Sequence, residues 1–470
     1  MFSYNLKYEL KLLWRSRWIQ LLGVLLLVLI GFAVYNGQVK TDQWENSIQT
    51  AQQTLKASDA AMVKVLDSVE QGLEVSLAPW LVPTSPMAVG NVHPRVVAKD
   101  AQPLSYIATG QSDLFTPYVS PKATGDDFAI EFTEMTSPVQ LLFGNFDLAF
   151  VIIYLLPLLI IAFSYHVLSA EKERGSLRIL MAQPISIRQW VFQKLTLRFL
   201  VLSVLVIVAF VAVALGFGLD VWANAPSFFI LIALVLTYML FWFALVFLVN
   251  LWVGQSARNA ISLLGLWIFF VLLVPSILNQ IGSVLYPMPS RTQMIGQMRS
   301  LKAEATEKQD EILDNFLRDH PEYAVNDSTQ KRNFYHRYVA SQQLIRSELE
   351  PVVNRYTEQL QKQQDLLGNF KWLSPAIVVQ QALNRLAGNS TADFLNYKFQ
   401  VMGFSETWRN HLMPLLYNNQ DFSQEDVPKL PVFQYQPLSS SATSALLVLL
   451  GLVVLLFGLG FGFTKRIWAS

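Results

Sequence analysis

The sequence predicts an all-α membrane protein of six transmembrane helices, with the N- and C-termini cytoplasmic and a mainly helical extracytoplasmic domain formed by two insertions. Three observations carry that expectation. Hydrophobic residues make up 53% of the 470 positions and charged residues only 15%, against roughly 25% charged in a soluble domain. Six stretches reach the roughly 20 apolar residues that a helix needs to cross a bilayer. The Lys and Arg residues gather in alternate connections between those stretches.

The stretches are 18–35, 148–168, 199–219, 228–249, 261–281 and 442–463, and none contains Asp, Glu, Lys or Arg. One such run can be a buried core helix; six in one chain point to a bilayer. The first follows basic residues, as a signal peptide does. No small-residue cleavage site follows Tyr35, and the run is long for a signal core, so it reads as an uncleaved first span.

Orientation follows from the connections. Lys7, Lys11, Arg15 and Arg17 precede the first span, in residues 1–17. Lys172, Arg174, Arg178, Arg188 and Lys194 lie in the 169–197 connection. Arg258 separates spans four and five, which belong with span three to the 198–281 region. Lys465 and Arg466 follow the last span, in the tail 464–470. Basic residues mark the cytoplasmic side, so the insertions 36–147 and 282–441 face outward.

Within the first insertion, Ile48, Ala51, Leu55, Met62, Val65, Leu66 and Val69 recur at helical spacing, predicting a helix that rises out of the membrane from the first span. Beyond Pro79 the prolines predict irregular chain. The second insertion predicts helices near 293–318, ended by His320-Pro321, and over 330–367. Ile345, Leu349, Val352, Val353, Tyr356 and Leu360 give the longer one an apolar stripe, for which the helix of the first insertion is the simplest partner.

Composition excludes several chemistries. Cysteine is absent, which removes disulfides, thiolate catalysis and Cys-based metal sites. A net charge of +1 offers no field for nucleic acid. His93, His320, His336 and His411 lack ligand-like spacing, so no metal is expected. No paired nucleophile and base stands out, and no catalytic site is expected.

The most informative segment is the 169–197 connection. Leu177, Leu180, Met181 and Pro184 fall at i, i+3, i+4 and i+7, on one face, with Glu171, Glu173, Arg174, Arg178 and Arg188 around them. Such a short amphipathic helix either lies on lipid or docks into a groove of a cytoplasmic partner. Gly175 suits a bend between the second span and this helix, and Pro184 an end to it. Phe2, Leu6, Leu10, Leu13 and Trp14 likewise alternate with Lys7, Glu9, Lys11 and Arg15, as in an interfacial helix or an extension of the first span. Pro157 and Pro275 predict kinks in spans two and five, and Gly458, Gly460 and Gly462 close helix packing in the last.

The amphipathic start, the outer insertion and the segment EKERGSLRILMAQPISIRQWVFQK after the second span resemble the type-2 ABC transporter permease family. PSRTQMIGQMRSL, FLRDHPEY, QQLIRSELEPVV and WLSPAIVVQQALNRLAGNS resemble a bacterial subgroup with a large outer domain before the last helix. The resemblance implies a bacterial inner-membrane permease that pairs with a second copy or a sister permease. It also implies separate ATPase subunits, holding ATP and Mg, docked on the coupling residues Glu171 to Arg188. The chain itself contains no G-x-x-x-x-G-K-[ST] motif for phosphate. It also places no ionisable group within the six stretches except His166 at an edge, so active transport would draw its energy from a partner chain. Phe228, Phe229, Phe241, Trp242, Phe243 and Phe247 favour an amphiphilic, lipid-like or peptide cargo. The alternative is a complex that transmits force to an extracytoplasmic partner without moving cargo.

Overall fold

A computed structural model describes residues 2–15, 17–110, 112–124, 145–182, 186–219, 224–321, 334–438 and 442–462. Six of its helices are long and apolar enough to cross a membrane: α2 (Trp18–Glu70), α4 (Leu148–Glu173), α6 (Ile187–Gly216), α7 (Ala225–Trp252), α8 (Ser256–Leu285) and α14 (Thr443–Gly462). The chain is an all-α, membrane-embedded protein. The remaining helices are α1 (Phe2–Arg15), α3 (Pro86–Val92), α5 (Leu177–Met181), α9 (Arg291–Glu307), α10 (Gln309–Asp319), α11 (Phe334–Phe370), α12 (Pro375–Leu386) and α13 (Thr391–Tyr417). A two-residue antiparallel pair, β1 (Val97–Ala98) with β2 (Tyr118–Val119), and short 3-10 turns such as Ser105–Ile107 complete the described elements.

The first span and the helix expected to rise from it are one uninterrupted helix, α2, of 53 residues. At 1.5 Å per residue it is roughly 80 Å long, more than twice a bilayer core. One end packs in the bundle through Leu22, Leu26 and Ile30. The other supplies Met62 and Leu66 to a second core. That second core joins both insertions: Met87, Val89, Val97 and Ala123 from the first meet Leu313, Phe316, Leu349, Trp408 and Leu412 from the second.

The helices of the second insertion differ from expectation in two respects. The 293–318 helix is broken at Lys308 into α9 and α10. Ile345 and Leu349 of the α11 stripe pack with α9 and α10 rather than against α2, because this helix pair precedes α11 in the chain and lies alongside it. Two helices had no expectation attached. The capping box of Ser390 and Asp393 starts α13. Ser374 caps α12 with Pro375 at its first position. Although α12 belongs to the second insertion, Ala376, Val379, Ala382 and Leu383 place it in the core of the membrane bundle.

The prolines produce π-helical turns: Val151–Leu155 before Pro157 and Ile268–Leu273 before Pro275. Proline has no N–H and its ring crowds the carbonyl one turn back, so the preceding turn widens. Two side chains take up the orphaned carbonyls. The Tyr238 hydroxyl donates to Ile153 O at 3.1 Å, and the Ser374 hydroxyl to Phe270 O at 2.6 Å. Close packing at the glycines of α14 occurs at Gly460, where a Cβ would lie 2.6 Å from Phe247 Cε1. Phe228, Phe241, Trp242, Phe243 and Phe247 are buried in the bundle core, and Phe229 is exposed.

Between the two insertions, Lys99 is buried among aromatic rings: its Nζ lies 4.8 Å from the Phe394 centroid and 5.8 Å from that of Trp44. Burial pushes its pKa from 10.5 down to about 8, against the opposing pull of Asp393 and Asp100. Below about pH 8 both folded and unfolded chains hold this proton, and the fold bears the full cost of a desolvated ammonium. Between about 8 and 10.5 the folded chain has released the proton while the unfolded chain retains it, so stability rises with pH. Thermal unfolding between pH 7 and 10 should therefore show a rise that Lys99→Met flattens; a wild-type profile already matching Lys99→Met would show that Lys99 does not titrate there.

Candidate functional site: a charged junction at one end of the bundle

The residues of the 169–197 connection gather where α1, the end of α4, α5 and the start of α6 meet. The centre is an ion network absent from the sequence expectations. Glu9, expected on the polar face of α1, is 2% exposed. Its Oε1 lies 3.1 Å from Arg198 Nη2 and its Oε2 lies 3.2 Å from Lys194 Nζ. Lys194 also reaches Glu171 Oε1 at 3.1 Å and sits 4.2 Å from the Trp190 ring centroid. Arg198 donates to Phe163 O on α4. Lys194 and Arg198 are one turn apart on α6, so both cations share a face. Each charge is compensated by an opposite one within hydrogen-bonding reach, which burial requires.

The coupling residues separate into two groups. Glu171 binds inward, to Lys194 and the Ser176 hydroxyl. Glu173 accepts the backbone N–H of Ser256 at 2.8 Å, holding the start of α8. Arg188 donates to Phe461 O at 2.6 Å, at the last turn of α14, where a cation complements free carbonyls. Leu177 is 7% exposed and belongs to the bundle core. Arg174, Arg178 and Met181 point outward, Met181 being 54% exposed.

A common apolar face of Leu177 and Met181 is thus not what forms. The helix is only five residues long, and Leu177 is drawn into the bundle while Met181 stays outside. Gly175 makes the turn between α4 and α5 with φ +75°, a region glycine enters without penalty. Pro184 and the side chain of Leu180 lie outside the described residues, as do Lys465 and Arg466.

Behind this junction a second polar cluster repairs a defect in α4, whose helical pattern lapses over residues 165–168. Asn250, fully buried near the end of α7, accepts the Leu168 N–H at 3.2 Å and donates to Val246 O at 2.9 Å and Ser164 O at 3.4 Å. Asn259 on α8 donates to Tyr165 O at 3.0 Å. The hydroxyls of Ser169 and Ser256 meet at 2.8 Å. Asn250→Leu strips the buried Leu168 amide of its acceptor, which costs about 1–3 kcal/mol. A lowered unfolding temperature in detergent is expected. An unaltered one would mean that the amide finds another acceptor.

Glu9, Arg198, Asn250 and Asn259 were missed because each stands at or beyond the edge of an apolar run, where a polar residue ordinarily meets water. The available hint was a lone carboxylate, Glu9, in a basic segment, and a Lys-Arg pair one turn apart at the head of a span.

A family model described as a domain of unknown function (DUF3526) matches residues 291–436, which run from the start of α9 to beyond α13. No curated protein matches the chain, and no solved structure matches it.

Proposed function

We propose that this chain is the membrane-spanning permease subunit of an ABC exporter in a bacterial inner membrane. In this reading separate ATPase subunits, holding ATP and Mg, dock below the charged junction, which faces the cytoplasm. The observation that carries it is the coupling segment's double attachment. Glu171, Glu173, Leu177 and Arg188 fasten it to α6, α8, α14 and the core, while Arg174, Arg178 and Met181 stay exposed. A partner pushing on the exposed side would move several spans together. The absence of a phosphate-cradling motif from the sequence fits an ATPase on another chain. The permease would work beside a second copy or sister permease, within lipid, with the insertions on the extracytoplasmic side.

One observation favours a second reading, in which the complex transmits force to an extracytoplasmic partner. The uninterrupted α2 runs from the bundle core into the outer core, and a continuous helix carries displacement along its axis.

Purification of the native complex in mild detergent tests the proposal: an ATPase should copurify, and an active chain that purifies alone would defeat it. Within that complex, Arg178→Glu combined with Met181→Asp should lower coupled ATP hydrolysis by about tenfold, with the yield of folded chain preserved, since docking helices use charged and apolar contacts together. Retained coupling in this double variant would exclude α5 as the docking element. Cargo movement in proteoliposomes, present or absent while ATP is hydrolysed, separates export from force transmission.

A further inference from the structure

The last span, α14, ends at the charged junction, where Arg188 holds Phe461 O. Its first turn lies at the opposite end of the bundle, roughly 30 Å away for a helix of 20 residues. There α12 and α14 meet at a shallow recess. Lys371 and Arg385 line it together with Val378, Ala382 and Ala445, which belong to the buried core of the membrane bundle. Among the described residues no carboxylate lines the recess, and neither the Lys371 ammonium nor the Arg385 guanidinium has a hydrogen-bond or ion-pair partner. Lys194 and Arg198, at the junction, are by contrast both paired. The surroundings are those of a membrane edge. Trp372, 54% exposed, and Phe370, also exposed, flank Lys371 in the chain, and aromatic side chains gather at bilayer interfaces. From Ser444, which also lines the recess, the same face of α14 continues through Leu447, Gly451 and Val454. All three are exposed, Leu447 to 71%. An apolar lane therefore runs from the two cations along the spanning helix.

Two unpaired cations without a carboxylate call for an anion, and a guanidinium beside an ammonium suits phosphate oxygens. The recess measures only about 10 Å³, about the space of one water. A soluble anion would be held by two accessible charges alone, which salt screens. A lipid brings a second attachment, because its acyl chains lie along the α14 lane and fix its phosphate at the rim. A zwitterionic headgroup sets its own cation against the pair; an anionic one does not. We infer that this recess seats the phosphate of an anionic phospholipid, its oxygens on Lys371 and Arg385 and an acyl chain along Leu447 and Val454. This inference goes beyond the permease reading and does not depend on it.

Native mass spectrometry of the detergent-purified full chain tests it, with separate titrations of phosphatidylglycerol, phosphatidylcholine of the same acyl chains, and inorganic phosphate. Saturable phosphatidylglycerol adducts are expected, with phosphatidylcholine and phosphate each binding about tenfold or more weakly, because one adds an opposing cation and the other lacks the chains. Lys371→Gln combined with Arg385→Gln should weaken phosphatidylglycerol about tenfold or more, down to the level of phosphatidylcholine, with the lipid-free unfolding temperature retained. Should the double variant fail to fold, Arg385→Gln alone, at an exposed position, decides with an expected loss of about fivefold. Equal binding of phosphatidylcholine, phosphate binding as tightly as the lipid, or undiminished phosphatidylglycerol binding by Arg385→Gln would each overturn the assignment.

Discussion

Arg198→Ala is expected to destabilise the folded chain by about 3–5 kcal/mol, because it leaves the buried Glu9 carboxylate short of its closest partner in a low-dielectric site. Arg198 is buried, and its guanidinium holds Glu9 on α1 and a backbone carbonyl of Phe163 on α4. Lys194 remains 3.2 Å from Glu9 but is shared with Glu171, so compensation is incomplete. Removing both charges should be far milder. Glu9→Leu with Arg198→Leu replaces a desolvated pair by apolar contacts, which is often neutral. Thermal unfolding in detergent, run as a double-mutant cycle, should give single-variant losses much larger than that of the pair. Additive losses would mean that the two charges do not compensate each other. The same variants have a functional consequence under the permease reading. With α1 released from α6, the junction no longer moves as a unit, and coupled ATP hydrolysis should fall even where the chain remains folded.

The second large effect is expected at Gly37, where α2 passes the first insertion at backbone distance. A Cβ there would overlap the Tyr106 carbonyl oxygen and come within 2.8 Å of its carbonyl carbon. The obstacle is main chain and cannot rotate away. The strip around it is densely bonded. Asn36 donates to Phe146 O at 3.2 Å, Thr41 meets Ser105 Oγ at 3.2 Å, and Trp44 donates to Lys99 O at 2.8 Å. Alanine in a helix gains about 0.5–1 kcal/mol over glycine. Forcing two backbones apart costs typically about 1–3 kcal/mol and here breaks those bonds as well, so the steric term wins. Gly37→Ala should yield little monodisperse protein and a clearly lower unfolding temperature. Gly265→Ala, whose Cβ would meet nothing within 4 Å, should be neutral or slightly stabilising. Equal behaviour of the two variants would show that the 105–107 segment does not sit against α2 as described.

These two sites show how unevenly the chain could be read in advance. The apolar runs located the six long apolar helices, although α6 begins at Ile187 rather than at Phe199, and the spacing of Ile48, Ala51, Met62 and Leu66 marked the continuation of α2 beyond the bundle. Pro157 and Pro275 were recognisable as points of deformation, though not as π-turns completed by Tyr238 and Ser374. The segment around Gly175 was recognisable as a bent, charged connection, but the inward burial of Leu177 was not.

The sequence by itself determined what depends on local sums: which windows are apolar enough to leave water, where helical spacing persists, and where proline and glycine disturb it. Each of those properties belongs to a stretch of neighbouring residues and needs no knowledge of the rest of the chain. Only the tertiary structure decided the partners. Glu9 and Arg198 are 189 positions apart, and Asn250 and Leu168 are 82 apart. Whether a polar residue at the end of an apolar run faces water or a buried opposite charge depends on which distant helix packs against it, and that is a property of the assembled bundle.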